Sequence, residues 1–262
     1  MTAQERIVGA FVDRASRPRG ARAAGLVTAL ALAMLVSTVC NTVDAFGQDP
    51  GQTCPPEALF SQPPNLGGEG WEIYVSDSVA GYFRYEAVRS ISAPVCGVRW
   101  WGLHATDSGT GFVECDDNPG SFRITFYGDS QSRPGAVVCS YAVEADGKAV
   151  GEVNGWVLYQ YQASLDPCCA LTDGWVSVMA TDGIPSCWFF WNSSPVGDDS
   201  ACQRNPINGL VCGTGQHYRD LSLCLTDFPV SVKPSAWGAI KSLYRNSIPT
   251  TSAPLDGGVF DR

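Results

Sequence analysis

The sequence predicts an all-β domain, a disulfide-stapled antiparallel β-sandwich with jelly-roll topology as the first choice. Three observations lead to this fold class. Short runs of alternating apolar and polar residues recur from residue 71 to residue 225. Turn dipeptides such as Asp146-Gly147 and Asp173-Gly174 separate the runs. No convincing helical period appears among them, and about nine or ten short strands at such spacing are typical of a sandwich. Strand order is not readable from the sequence.

The predicted strands follow each other at short intervals from the first tryptophan of the region onward. They cover residues 71–76, 82–91, 95–104, 121–127, 136–143, 153–163, 175–179, 187–191 and 217–225. The clearest is 121–127, where Phe122, Ile124 and Phe126 share one face. The run 153–163 carries apolar bulk on both faces, which predicts a central strand covered at least partly on both sides.

The first 47 residues read as a signal peptide. Arginines dominate residues 14–22, residues 23–39 contain no charge, and small residues at Val43 and Ala45 offer a cleavage site. The apolar run is slightly shorter than the roughly 20 residues that a membrane span needs. We therefore expect a secreted or extracytoplasmic protein, at the cell surface or in the periplasm, with no stable membrane span after cleavage. A retained N-terminal anchor is the alternative.

The sequence thus predicts three segments: a signal peptide at 1–47, a β-sandwich domain at 48–226 and a flexible tail at 227–262. The tail is rich in Pro, Ser, Gly and Thr. A short helix is predicted at about 235–245, because Ser235 is an acceptable N-cap and Trp237, Ile240 and Leu243 share a face.

Removing the signal peptide changes the charge and the cysteine count. The formal charge is −9 for the whole chain, and the first 45 residues hold five arginines and three acids, so the remainder carries −11. An acidic surface repels phosphate backbones, which excludes nucleic acid as a partner. Ten of the eleven cysteines remain after Cys40 is removed: Cys54, Cys96, Cys115, Cys139, Cys168, Cys169, Cys187, Cys202, Cys212 and Cys224. An even number in an exported chain predicts up to five disulfides.

The pairing of these cysteines stays open. Cys202 and Cys212 could close a short loop, and Cys168 or Cys169 could reach Cys187 across neighbouring strands. A zinc site is disfavoured because the chain has no Cys-x-x-Cys motif and only two histidines.

Several segments in fixed order resemble a known class of domain. They are Val98-Arg99-Trp100-Trp101-Gly102, Phe122-Arg123-Ile124-Thr125-Phe126-Tyr127 with Asp129, Pro134-Gly135, Trp175-Val176-Ser177-Val178 and Trp188-Phe189-Phe190-Trp191. This pattern is similar to that of secreted bacterial β-sandwich domains of uncharacterised function, and it spans residues 95–191. The resemblance implies a fold and no catalytic residues. The dense cysteines of this chain depart from the class.

Catalytic signatures are weak. Gly128-Asp129-Ser130 resembles the nucleophile block of GDSL-type esterases, but neither His104 nor His217 is preceded by an Asp three residues earlier. Asp129 and Ser130 are better interpreted as turn residues. A jelly-roll glycoside hydrolase would need two acids facing a cleft, and no such pair stands out among the strands. The sequence therefore predicts no catalytic residue.

Two kinds of binding site are predicted instead. Glu114, Asp116 and Asp117 form an oxygen-rich stretch that is a candidate for a structural Ca²⁺, the only cofactor we consider.

Aromatic faces stack on sugar rings, and the candidates for such contacts are Trp101, Tyr159, Tyr161 and Trp191. We expect a secreted, non-catalytic binding or surface-associated module, with a polysaccharide or another cell-surface component as its partner. A jelly-roll glycoside hydrolase or other extracellular hydrolase, and a structural envelope protein, are the alternatives.

Overall fold

A computed structural model describes residues 50–68, 70–115, 120–182, 187–214 and 219–230. These residues form one short 3-10 turn, Pro50–Gln52, and fourteen β-strands. The strands are β1 (Phe60–Gln62), β2 (Ile73–Val75), β3 (Phe83–Val88), β4 (Val95–Asp107), β5 (Phe112–Glu114), β6 (Ser121–Asp129), β7 (Pro134–Glu144), β8 (Lys148–Val153), β9 (Trp156–Cys169), β10 (Gly174–Ala180), β11 (Trp188–Asn192), β12 (Ser200–Asn205), β13 (Gly209–Thr214) and β14 (Leu223–Thr226). The predicted signal peptide and the predicted helix at 235–245 lie outside the described residues.

Two antiparallel sheets build the domain. The central strands of the larger sheet run in the order β2-β11-β4-β9, and those of the smaller sheet run in the order β3-β10-β6-β7. Numbered one to eight along the chain, these strands give the orders 1-8-3-6 and 2-7-4-5, which is the arrangement of a jelly roll. The structure therefore confirms the predicted all-β, disulfide-stapled jelly-roll sandwich.

The long strand β4 organises the larger sheet. Trp100 pairs with Leu223 of β14 on one edge and with Tyr161 of β9 on the other. Ala105, five residues later, pairs with β11 on one edge and with β5 on the other. Because a strand has only two edges, β14 and β11 follow each other along one side of β4, and β9 and β5 along the other. The hairpin of β12 and β13 extends the smaller sheet beyond β3.

The core between the sheets is aromatic. The ring of Trp100 is stacked on Tyr161 at 5.5 Å and meets Phe122 of the smaller sheet edge-on at 5.1 Å. Phe122 also meets Phe189 edge-on at 5.3 Å. All four side chains are buried. Edge-on and stacked ring pairs add about 0.5–1.5 kcal/mol each beyond the burial of apolar area, so this layer fixes the two sheets face to face.

The domain continues past the predicted boundary at residue 226. Val230 is buried, and its carbonyl accepts a hydrogen bond at 2.9 Å from the hydroxyl of Ser164 in β9. Residues 227–230 are therefore part of the packed domain.

Five disulfides staple the described residues: Cys54–Cys224, Cys96–Cys168, Cys115–Cys187, Cys139–Cys169 and Cys202–Cys212. All ten cysteines predicted to be bonded are bonded. The short loop predicted between Cys202 and Cys212 is confirmed, and it joins directly paired residues of β12 and β13.

The predicted pairing of Cys187 with Cys168 or Cys169 is wrong, because Cys187 is bonded to Cys115. Successive residues of a strand point to opposite faces. Cys168 therefore points away from the core and joins Cys96 of β4, whereas the buried Cys169 crosses to β7 of the other sheet.

Candidate functional site

A cluster of partly exposed aromatic side chains lies on the outer face of the larger sheet. We define the aromatic surface as Trp71, Ile73, Phe112, Trp156 and Trp188, all of which are partly exposed and pack against one buried cluster. The floor of that cluster consists of Val75, Tyr82, Leu103, Ala105 and Phe190. The aromatic surface therefore rests on side chains that are fixed by the sheet.

Strand alternation explains why these side chains face outward. In β11, Phe189 and Trp191 belong to the core between the sheets, so Trp188 and Phe190 point to the opposite face. Phe190 pairs with Leu103 on one side and with Val75 on the other, which continues the outer apolar layer across three strands. The residues of the aromatic surface thus come from four strands, β2, β5, β9 and β11, and from the segment just before β2, which sheet pairing brings together.

Specific contacts hold the rings in place. The ring centroid of Phe112 lies 6.3 Å from that of Trp188 and 5.2 Å from that of Phe190, which it meets edge-on. The indole N–H of Trp71 donates a hydrogen bond at 2.9 Å to the side-chain oxygen of the buried Asn192. Such anchoring leaves part of each ring open to a ligand while its orientation is set by the protein.

Polar groups border the aromatic surface. Glu114 is exposed, lies opposite Ala105 in the sheet register, and accepts a hydrogen bond at 3.3 Å from the backbone N–H of Val157. Asp107, which pairs with Phe112, accepts a hydrogen bond at 2.8 Å from the N–H of Gly109. Carboxylate oxygens beside aromatic rings can accept hydrogen bonds from hydroxyl-bearing ligands.

Three of the four predicted stacking residues are core residues. Trp101, Tyr161 and Trp191 have no exposed surface. The indole N–H of Trp101 donates to the carbonyl of Gly51 at 2.7 Å, and that of Trp191 donates to the carbonyl of Ser222 at 2.9 Å. A ring without accessible surface cannot stack on a sugar, so we assign these three side chains to packing.

Trp101 lies on the outer face, and the entry segment of the domain buries it. Its apolar neighbours there include Cys54 and Ala58 of that segment, together with Val150 and Val153 of β8. Of the residues of the aromatic surface, Trp71 also packs against this cluster, whereas Ile73, Phe112, Trp156 and Trp188 pack against the other one. The fourth predicted residue, Tyr159, is partly exposed and is stacked at 5.1 Å on the ring of His104.

Buried carboxylates occur at one end of the sandwich, where they fasten loops. Glu86 has no exposed surface, and its Oε2 accepts a hydrogen bond at 2.7 Å from the N–H of Leu221. Asp220 is buried and accepts hydrogen bonds from the N–H groups of Asp198 and Asp199 at 3.2 and 2.9 Å.

Burial raises the pKa of both acids; the charge of Asp220 further raises that of Glu86, and the charges of Asp198 and Asp199 further raise that of Asp220. For Glu86 the pKa lies well above its usual value. Glu86 has no exposed surface and Asp220 is 3% exposed, so these two acids do not face the accessible cleft that glycoside hydrolysis requires.

His104 and the esterase-like segment Gly128-Asp129-Ser130 also have structural roles. His104 is buried, which lowers its pKa to about 4, and its Nε2 lies 2.6 Å from the hydroxyl of Tyr161. The segment after Gly128 forms a tight turn in which Ser130 N–H donates to the carbonyl of Arg133 at 2.9 Å. Asp129 accepts a hydrogen bond at 2.9 Å from the indole of Trp175. The other histidine, His217, lies outside the described residues.

The structure describes only one of the three residues predicted to bind Ca²⁺. Among the described residues, no group of three or more His, Cys, Asp or Glu side chains could hold a metal ion. Glu114 is described and borders the aromatic surface, whereas Asp116 and Asp117 lie outside the described residues. A structural Ca²⁺ therefore stays a prediction.

Comparison with known proteins places the chain in no family. No family model, no curated protein and no solved structure matches it. In the part of the chain that the structure describes, no helix is long and apolar enough to cross a membrane. Five disulfides indicate an oxidising compartment, such as the extracellular space.

Proposed function

We propose that this protein is an exported, non-catalytic binding module that recognises a polysaccharide through the aromatic surface on the outer face of its larger sheet. The observation that carries the proposal is the set of partly exposed rings of Trp71, Phe112, Trp156 and Trp188, which pack against one buried cluster. Tryptophan rings offer large apolar faces at low conformational cost, because only two side-chain angles are fixed on binding.

The shape of the site supports a polymer ligand. The aromatic surface lies on a sheet face, and its residues come from β2, β5, β9 and β11 and from the segment just before β2. An extended face of this kind suits a chain of repeated rings better than a small molecule, which is usually enclosed in a concave pocket. The bordering carboxylates of Glu114 and Asp107 supply hydrogen-bond acceptors for hydroxyl groups.

The negative charge of the protein favours a neutral ligand over an anionic one. The chain carries a net charge of −9, and the polar border described above is acidic. An anionic polysaccharide would meet like charge at this surface, so a neutral polysaccharide is the favoured ligand.

A hydrolase is less well supported. Catalysis by paired acids needs two carboxyl groups that face an accessible substrate. Among the described residues, Asp220 raises the pKa of Glu86, but both of these acids are buried.

Binding to insoluble neutral polysaccharides tests the proposal. Cellulose, chitin and xylan would be used in pull-down assays, with polygalacturonate as the anionic comparison. We expect at least one neutral polymer to retain the protein, and Trp188→Ala and Trp156→Ala to weaken retention about tenfold each, the loss expected for one stacked ring. Phe83→Ala is the matched control, because Phe83 is a partly buried aromatic residue packed in a different cluster.

Two results would contradict the proposal. One is retention by none of the polymers, with and without Ca²⁺, which would favour a structural role in the envelope. The other is equal loss of retention in the Phe83→Ala control. Release of soluble sugars from a retained polymer would instead favour the hydrolase.

A further inference from the structure

Strand β7 forms an outer edge of the smaller sheet. It pairs with β6 on one side, and no other described strand pairs with its second side. β7 is 11 residues long, whereas the edge strands β8 and β13 have 6 residues each and β1, β2 and β5 have 3. A long edge strand presents a row of backbone N–H and C=O groups that can pair with another strand.

The composition of β7 is unusual for an exposed edge. Natural edge strands are commonly protected by charged side chains, as β8 is by Lys148 and Glu152. No charged residue occurs in β7 before its last residue, Glu144. Val137 and Val138 are 59% and 47% exposed, which makes them a pair of adjacent exposed large hydrophobic residues in the middle of the strand.

β7 is also held firmly. Cys139 is bonded to Cys169 of the opposite sheet, and the hydroxyl of Tyr141 donates a hydrogen bond at 2.7 Å to the carbonyl of Pro167. These two anchors lie on the core side of the strand and leave its outer backbone edge unchanged. A strand already fixed in extended form loses little conformational freedom when a partner strand adds to it.

The charges at the two ends of the strand identify the partner. Arg133 is exposed just before β7, Glu144 is exposed at its end, and the residues between them are uncharged. In an antiparallel pair of identical strands, each Arg133 lies near the Glu144 end of the other copy. The edge is thus complementary to itself about a two-fold axis, the usual symmetry of homodimers.

We infer that β7 is a self-association edge, through which two copies of the chain pair antiparallel and join their smaller sheets into one continuous sheet. The remainder of the acidic surface repels a second copy, so an uncharged edge with opposite charges at its ends is where two copies can approach. Main-chain hydrogen bonds between the two strands supply affinity, as in other complexes formed by strand addition. This inference is independent of the polysaccharide proposal.

Sedimentation equilibrium of the full, disulfide-bonded chain at increasing concentration tests the inference. We expect the apparent mass to rise to twice that of the monomer. Val138→Lys, which places like charges near the two-fold axis, should weaken dimerisation at least about tenfold. Ile207→Lys is the matched control, because Ile207 is 60% exposed in the turn between β12 and β13, and it should dimerise like the parent chain.

Charge reversal gives a second test at the strand ends. Arg133→Glu alone and Glu144→Arg alone should each weaken dimerisation, and the double variant should restore it. A residue with a merely structural role would not show this restoration.

Hydrogen exchange of the unsubstituted chain covers the case in which a variant fails to fold. The outward backbone amides of β7 should exchange more slowly as the concentration rises. A chain that stays monomeric at every concentration, a dimer that Val138→Lys leaves intact, or β7 exchange that does not depend on concentration would each overturn the inference.

Discussion

Acidification should destabilise this domain through one buried side chain, His104. It lies on the core side of β4, where its ring is stacked on Tyr159 at 5.1 Å and its Nε2 lies 2.6 Å from the hydroxyl of Tyr161. Only 1% of the residue is exposed. A protonated imidazole in this position would be an unpaired charge among aromatic rings, and burial accordingly lowers the pKa of His104 from 6.5 to about 4.

The direction and size of the effect follow from this shift. In the unfolded chain His104 takes up a proton near pH 6.5, whereas in the folded chain it stays neutral down to about pH 4. Between these values the unfolded state binds more protons, so the stability present above pH 6.5 is lost as the pH falls towards 4. A difference of this size in pKa corresponds to about 3 kcal/mol of free energy of unfolding.

Urea unfolding of His104→Gln and the parent chain, measured from pH 7 to pH 4 with the disulfides intact, tests this value. Glutamine retains a hydrogen-bonding group for Tyr161 but does not titrate. The parent chain should therefore lose about 3 kcal/mol more than the variant over this range. Tyr161→Phe removes the hydroxyl and leaves the imidazole buried, so it should keep the pH dependence of the parent. Parallel stability curves for the parent chain and His104→Gln would refute the reasoning.

Three further changes have expected outcomes. Burial raises the pKa of Glu86, so the folded state favours the protonated side chain, and this stabilisation is lost as the pH rises above about 4.5. Glu86→Gln should therefore unfold at a higher urea concentration than the parent chain at pH 8 and at no higher concentration at pH 4. An added Cβ at Gly102 would lie 2.3 Å from the ring of Phe189, so Gly102→Ala should lower the free energy of unfolding by about 3 kcal/mol. Gly128→Ala is the control: a Cβ there has no atom closer than 4.0 Å, so the free energy of unfolding should fall by less than about 1 kcal/mol. Asn192 begins an Asn-Ser-Ser glycosylation sequon, but its side chain is fully buried. Mass spectrometry of folded protein from a glycosylating host should therefore find Asn192 unmodified. A glycosylated form that contains all five disulfides would contradict the burial of Asn192.

Strands with an apolar and a polar face could be located from the sequence. The run predicted at 121–127 is β6, Ser121–Asp129, and the run predicted at 153–163 overlaps β9, Trp156–Cys169, from residue 156 onward, whereas Val153 ends β8. Both positions follow from alternation, which reflects one buried and one less buried face. β9 extends further than predicted because its last residues are held by the disulfides of Cys168 and Cys169 and not by an apolar pattern.

The hairpin of β12 and β13 was missed as a pair of strands. The sequence of β12, Ser-Ala-Cys-Gln-Arg-Asn, has too few apolar residues to show a period. Its strand geometry depends on partners far away in the chain, since β12 pairs with β3 as well as with β13. The Cys202–Cys212 loop was the available signal, and paired cysteines at the two ends of a short turn region favour a hairpin.

The aromatic surface shows why the candidate site was harder to predict than the fold. Alternation in Trp188-Phe189-Phe190-Trp191 places the two tryptophans on opposite faces, but it does not say which face meets the other sheet. The outer face of the larger sheet is itself apolar, and it is covered around Trp101 by residues 50–58 and left partly open around Trp188. Because that cover comes from a segment distant in sequence, buried and ligand-accessible tryptophans carry the same local pattern. Only the pairing of β4 with β11, together with the position of the entry segment, separates Trp188 from Trp101.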